Sequence, residues 1–127
     1  MAARDENEWF FQAEYDIETA EANFKSERHI FAVFMCHLAV EKALKGVYFK
    51  RFQKEPPRTH SLTHLIELNE LEIPVELYPF IMKLSAVSVP TRYPEQLREM
   101  QKIYNRERTR EFLIQSKEVL KWLREKL

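Results

Sequence analysis

The stretch Phe31 to Leu44, FAVFMCHLAVEKAL, is apolar at every position except His37, Glu41 and Lys42. A helix with this sequence is hydrophobic almost all round, and such a helix belongs in the middle of a protein. The run stops short of the roughly 18 apolar residues that a membrane span requires and is interrupted by charge, so its surroundings are expected to be protein rather than lipid. His37, Glu41 and Lys45 follow one another at i, i+4 and i+8, which places an imidazole, a carboxylate and an ammonium in one stripe of the helix. A carboxylate carried into a core needs a cation, a subunit interface or a polar cavity, because an unpaired buried charge is strongly destabilising.

With 127 residues the chain is long enough for one core and too short for two, so a single domain over residues 1–127 is expected. Glycine occurs once, at Gly46, which removes both common phosphate-cradling glycine loops. Cys36 is the single cysteine and lies inside the apolar run, so no internal disulfide or multi-cysteine zinc site can form, and a reduced cytoplasm suits it. It reads as a buried small hydrophobe. The segment MAARDENEWF has acids at Asp5, Glu6 and Glu8 and no apolar stretch after a basic start, unlike a signal peptide.

Twenty acids balance twenty bases, which argues against electrostatic capture of nucleic acid as the main activity. The distribution is uneven. Residues 1–27 carry eight acids against Arg4 and Lys25, whereas residues 42–58 carry six bases against Glu55 alone. Two solvated faces, self-association through opposite patches and an anionic ligand on the basic segment all fit that pattern.

Phe10, Ala13, Ile17, Ala20 and Phe24 are spaced 3 or 4 apart, predicting an amphipathic first helix capped by Asp5 and ending near Ser26. A second helix is predicted from His29 to about Phe52, stopped by Pro56-Pro57, with Gly46 marking a close helix crossing. KEPPRTHS is the first real loop. A third helix is expected over Thr63–Leu71, and a fourth from about Pro74–Pro79 to Val89-Pro90. Pro90 to Tyr104 reads as a long loop, the kind of segment that often carries function. NRERTREFLIQSKEVLKWLREKL reads as the last helix, with Phe112, Leu113, Val119, Leu120, Leu123 and Leu127 on one side. No segment reads as a strand. The expected fold is all-α, a four-helix up-and-down bundle with an additional short helix.

His60 and His64 stand four apart, a spacing that can chelate a metal, but no third ligand is near and no glutamate follows the first histidine. No metal or other cofactor is expected. Ser61, Ser85 and Ser88 lack a nucleophile-elbow setting, so the sequence shows no covalent-catalysis signature. What remains is the stripe on the second helix and the loop residues Thr91, Arg92, Tyr93 and Glu95.

HLAVEKALKGVYF, then THSLTHLIEL after a basic loop, then TRYPE before a long terminal helix, resembles the HEPN family, the prokaryotic helical domains associated with minimal nucleotidyltransferases. The resemblance covers nearly the whole chain and implies a four-helix up-and-down bundle, commonly dimeric. Many members of the family are implicated as metal-independent RNases through an arginine followed four to six residues later by a histidine at the start of the last long helix. This chain departs from that pattern: Arg92, Arg98, Arg106, Arg108 and Arg110 are available, but no histidine follows His64. Arg58 and His64 have a permissible spacing in the wrong part of the topology. Cleavage needs a group that exchanges protons near neutral pH, which arginine does not do.

The resemblance therefore implies a non-catalytic, RYP-bearing module that forms a homodimer and binds a nucleotide or RNA, or docks a separately encoded nucleotidyltransferase in a toxin–antitoxin-like pair. The candidate site is Glu41, Lys45, Arg92, Tyr93, His37 and His60. In one reading Lys45 and Arg92 hold phosphate, Glu41 orients one of them and Tyr93 stacks on a base. In the other, Arg92 pairs with Glu41 and pins the long loop to the bundle, and His37 is a hydrogen-bonded core histidine. A divergent ribonuclease assembled across a dimer from Arg92 or Arg58 with His60 or His64, and a plain helical interaction protein, are the alternatives.

Overall fold

The structure, a computed structural model, describes residues 5–87, 91 and 95–127. Ser88, the helix stop anticipated at Val89-Pro90, and the candidate site residues Arg92 and Tyr93 lie outside the described residues. The fold is an all-α up-and-down bundle, and no strand occurs among the described residues.

The first helix, α1, runs Glu6–Lys25. The Asp5 carboxylate accepts from the Glu8 N–H at 2.9 Å, and Glu6 and Glu8 add negative charge where the helix dipole favours it. At the other end the Ser26 hydroxyl donates back to the Ala22 carbonyl, and Glu27 turns the chain at φ 63°. The second helix, α2, then spans His29–Phe52 and buries twelve residues, Ile30 to Val47, as its nearly continuous apolar composition requires. Gly46 is where α1 rests on it. A Cβ at Gly46 would lie 3.0 Å from the Trp9 Cβ, 3.1 Å from the Phe10 ring and 3.4 Å from the Glu6 carbonyl oxygen.

The third helix, α3, covers Leu62–Leu68, three residues shorter at its C-terminal end than the sequence suggests. Asn69 explains the stop. Its buried amide donates to the Leu65 carbonyl at 2.9 Å and to the Leu44 carbonyl of α2 at 3.2 Å, and Glu70 follows in the left-handed region at φ 53°. Arg51 of α2 also donates to the Asn69 carbonyl, so α3 is clamped to α2 from both sides of this turn.

The fourth helix, α4, starts at Tyr78 and runs to Ala86; residues before it form a turn in which the Pro74 carbonyl accepts from the Leu77 and Tyr78 amides.

The segment read from sequence as a continuous loop contains a further helix, α5, at Leu97–Ile103. Among the described residues Met100, half-buried, is its one apolar side chain packed against the core, while Leu97 and Ile103 are exposed, so the apolar signal is too thin to register as a helical period. The last helix, α6, spans Arg106–Arg124 behind an Asn105 cap that accepts from the Arg108 amide at 2.9 Å. Phe112, Leu113, Ser116, Val119, Leu120 and Leu123 form its buried face. Phe112 meets Phe80 of α4 and Tyr104 edge-on, with centroids 5.5 and 5.9 Å apart, closing the α4–α6 seam. Among the described residues no helix is long and apolar enough to cross a membrane.

Alanine at Gly46 would gain about 1 kcal/mol of helix propensity. The two tight contacts it meets are the Trp9 Cβ at 3.0 Å, fixed close to the main chain, and the ring of buried Phe10 at 3.1 Å, so overpacking outweighs the gain. Gly46→Ala is expected to lower stability by about 1 kcal/mol in urea unfolding, and Gly46→Leu by several times as much.

Candidate functional site

Twelve residues of α2 are buried, and three of them, Cys36, His37 and Glu41, are ionisable. Glu41 is only 3% exposed. One of its oxygens, Oε2, accepts from Lys45 Nζ at 3.0 Å, one turn further along the same helix. The other, Oε1, lies 3.1 Å from Nδ1 of His60, which arrives from the loop ahead of α3. His37 Nδ1 stands 3.8 Å from the same oxygen. The i, i+4, i+8 stripe of the sequence is thus one cluster around a buried carboxylate, and both carboxylate oxygens have cationic or imidazole partners.

The parts differ in exposure. The His37 and Glu41 side chains are buried, Lys45 is 11% exposed, and His60 is 57% exposed, so His60 forms the solvent side of the cluster. The Lys45 ammonium also lies 6.0 Å from the centre of the Trp9 ring of α1, which ties the cluster to the α1–α2 contact. His60 is held in place by the turn beside it: the Ser61 amide donates to Thr59 Oγ1 at 3.1 Å, and Ser61 Oγ caps α3 by accepting from the His64 amide at 3.2 Å. His64 is exposed and directs its backbone, not its ring, into this arrangement.

A second charged contact was missed in the sequence reading. Asp16 of α1 is 5% exposed and pairs with Lys42 of α2 at 2.9 Å. Burial raises the Asp16 carboxyl above its ordinary pKa of 3.8, the Lys42 hydrogen bond and charge pull it back down, and the Glu41 carboxylate pushes it up. The signal was present: Asp16 falls on the apolar face of α1 beside Ala13, Ile17 and Ala20, and Lys42 interrupts the apolar run of α2. Two charges set in facing apolar surfaces have only each other to pair with.

Cys36 is buried, and burial pushes its thiol up to about 12, against smaller opposing effects from Ser116 and Lys117. It stays protonated at neutral pH and is unsuited to act as a nucleophile. Among the described residues no three His, Cys, Asp or Glu side chains stand together in a way that could hold a metal ion. Of the loop candidates, Thr91 is buried, with its hydroxyl donating to the Val87 carbonyl, and Glu95 is exposed. The structure thus brings Glu41, Lys45, His37 and His60 together.

Fold and cluster define a small helical bundle with two paired, buried carboxylates, Glu41 on α2 and Asp16 on α1. The chain belongs to the HEPN domain family, whose model matches residues 6–126. In fold it is similar to TT1696 from Thermus thermophilus, at 24% identity and a TM-score of 0.80, covering 96% of this chain and 98% of that one. It is similar to the same degree of identity, 24%, to ST0689, an archaeal HEPN homologue, with a TM-score of 0.76 over 97% of this chain and 98% of that one. No curated protein matches the chain.

Glu41→Gln leaves the Lys45 charge with little compensation in a largely buried place, and is expected to cost about 3 kcal/mol. Lys45→Met should also destabilise, and the double variant should recover part of the loss; additive costs in urea unfolding would show that the two side chains do not act as a pair. Asp16 has its own pH signature. Its folded pKa is raised, so its contribution to stability is full below pH 3.8 and is lost as pH rises through the raised value. The stability difference between the wild type and Asp16→Asn should therefore shift against the wild type over that interval, read from urea midpoints at successive pH values.

Proposed function

We propose that this chain is a non-catalytic HEPN-type module that forms a homodimer and docks a separately encoded nucleotidyltransferase, as one half of a toxin–antitoxin-like pair. The observation that carries this reading is the set of exposed aromatic side chains on α1 and α2. Phe31, Met35, Leu38, Lys42, Lys45, Phe49 and Phe52 follow at alternating spacings of 4 and 3 along α2, one helical stripe. Phe31 and Phe52 at its ends are exposed, and Leu38 and Phe49 are only half-buried. On α1, Phe11 and Tyr15, four apart, are 65% and 63% exposed. Large aromatic side chains held in water on two adjacent helices are what a protein interface uses as anchors.

The Glu41 cluster supports a positioning role. Lys45 already spends its charge on Glu41, so a phosphate there would have to compete with a carboxylate at 3.0 Å. His60 joins the loop of residues 53–61 to α2 through the same carboxylate, which gives that loop a fixed seat beside the outer face. Nucleotide binding at Lys45 and Arg92, with Tyr93 stacked on the base, stands second. Ribonuclease activity stands third, because the start of α6 supplies arginines and no histidine.

Sedimentation at micromolar concentration should give twice the chain mass, and Phe31→Glu should shift the protein to monomer. Co-expression with a minimal nucleotidyltransferase encoded in the adjacent reading frame should give a complex that survives gel filtration. A clean wild-type monomer that forms no such complex would remove this reading. Incubation with structured and single-stranded RNA should leave the RNA intact; cleavage abolished by His60→Ala or His64→Ala would put the divergent enzyme first.

A further inference from the structure

Of the six bases in residues 42–58, Lys42 is engaged by Asp16 and Lys45 by Glu41. Lys50 and Arg51, in the last turn of α2, are not drawn inward. Both are exposed, and they border a pocket of about 300 Å³ together with Val47, Leu71 and Lys126, the last of these just beyond the end of α6. The floor is aliphatic, made by buried Val47 and half-buried Leu71, and the rim is three cations. This is not the side of α2 that carries Phe49 and Phe52, because Val47 and Phe49, two residues apart on a helix, point about 200° from each other.

Cations gather naturally at helix C-termini, and α2 and α6 both end beside this pocket. Each helix end presents about half a negative charge, so the two together balance about one cation. Three are present. Among the described residues Glu70 is the one acid paired with any of them, at 3.9 Å from Arg51. Lys50 and Lys126 form no ion pair with any described residue, although the Lys126 ammonium lies 5.8 Å from the centre of the Trp122 ring. The surplus is also held in place. Arg51 donates to the Asn69 carbonyl, and the Leu71 amide donates to the Ile66 carbonyl at 3.2 Å, so the turn that ends α3 positions both the guanidinium and the leucine. A guanidinium has five N–H groups, and those not used on Asn69 and Glu70 remain available.

We infer that this pocket is a docking site for a short acidic and aliphatic segment of a protein partner. Carboxylates of the segment meet Lys50 and Lys126, and an aliphatic side chain beside them seats on Val47 and Leu71. The surplus of cations selects the sign of the partner, and the floor selects the character of what accompanies the charge. None of the residues that line the pocket is aromatic, so a base would find no ring to stack on, and a chain of zero net charge exerts no long-range pull on a polyanion. Exposed lysines around a small apolar seat suit recognition in which charge sets orientation and the buried contact holds it. The inference is independent of the homodimer and of the nucleotidyltransferase complex: it concerns another side of α2, and neither reading requires the other.

Titration of the full chain with the peptide Gly-Glu-Leu-Glu-Gly, followed by the NMR shifts of its backbone amides, tests this. The peptide should give saturable shifts at Val47, Lys50, Arg51, Leu71 and Lys126, with affinity falling as salt rises. The same peptide with glutamine for both glutamates, or with glycine for the leucine, should bind at least about tenfold more weakly. Lys50→Glu with Lys126→Glu should weaken the parent peptide by about tenfold or more, whereas Lys102→Glu, an exposed charge reversal on α5, should leave it unchanged. All three positions are exposed, and the amide spectrum of each free variant checks that it is folded. The inference fails if the peptide gives no saturable shifts at these amides, if either altered peptide binds as tightly as the parent, or if Lys102→Glu weakens binding as much as the double variant. Inorganic phosphate or a single-stranded RNA oligonucleotide that shifts the same amides at lower concentration than the peptide would overturn it as well.

Discussion

The close seat of α1 on α2 at Gly46 sets the geometry on which the rest of the bundle depends. Because the single glycine of the chain faces Trp9, Phe10 and the Glu6 carbonyl, the two long helices approach more closely than side chains would otherwise permit. That approach brings the Trp9 ring to Lys45 and Asp16 to Lys42, so the charges of α2 are met from α1 while its apolar residues are covered by α1 and α6. A helix as hydrophobic as α2 needs neighbours on several sides. The crossing at Gly46 determines where those neighbours sit.

Charge burial follows the same logic. α2 takes a carboxylate, an imidazole and two ammonium groups into or beside the core, and the described structure answers each at short range. Glu41 is the case with most at stake, since a carboxylate 3% exposed depends on partners from its own helix and from a loop nineteen residues away in sequence. Arrangements of this kind seldom add net stability over an apolar core of equal volume, but they penalise wrong packings severely. For this bundle the contact between Glu41 and His60 ties the loop before α3 to α2.

Much of this was legible in the residues. Asp5 and Asn105 announce helix starts, apolar spacing announces the buried faces of α1 and α6, and the unbroken run from Phe31 announces the central helix. Lys45 could be paired with Glu41 because a helix places them one turn apart. His60 could not: its approach to Glu41 depends on how the chain returns after Pro56-Pro57, and sequence spacing carries no information about that path. α5 was invisible because a seven-residue helix with one half-buried apolar side chain owes its form to what it lies against, not to its own pattern. The end of α3 was misjudged because Asn69 spends its amide on Leu44, a tertiary bond that local propensity does not register.

Three helix ends in this molecule are turned by residues that dislike the conformation they hold. Glu27, Gln53 and Glu70 all adopt positive φ, at 63°, 53° and 53°, where glycine would sit without strain. A chain with one glycine has left these corners to ordinary side chains, at about 1 kcal/mol each. The fold thus carries an unused reserve of stability at three exposed junctions, away from the central carboxylate. It also means that the corners after α1, α2 and α3 each carry a local cost that the helices they join do not, so the same sequence could be made firmer there without touching a single buried contact.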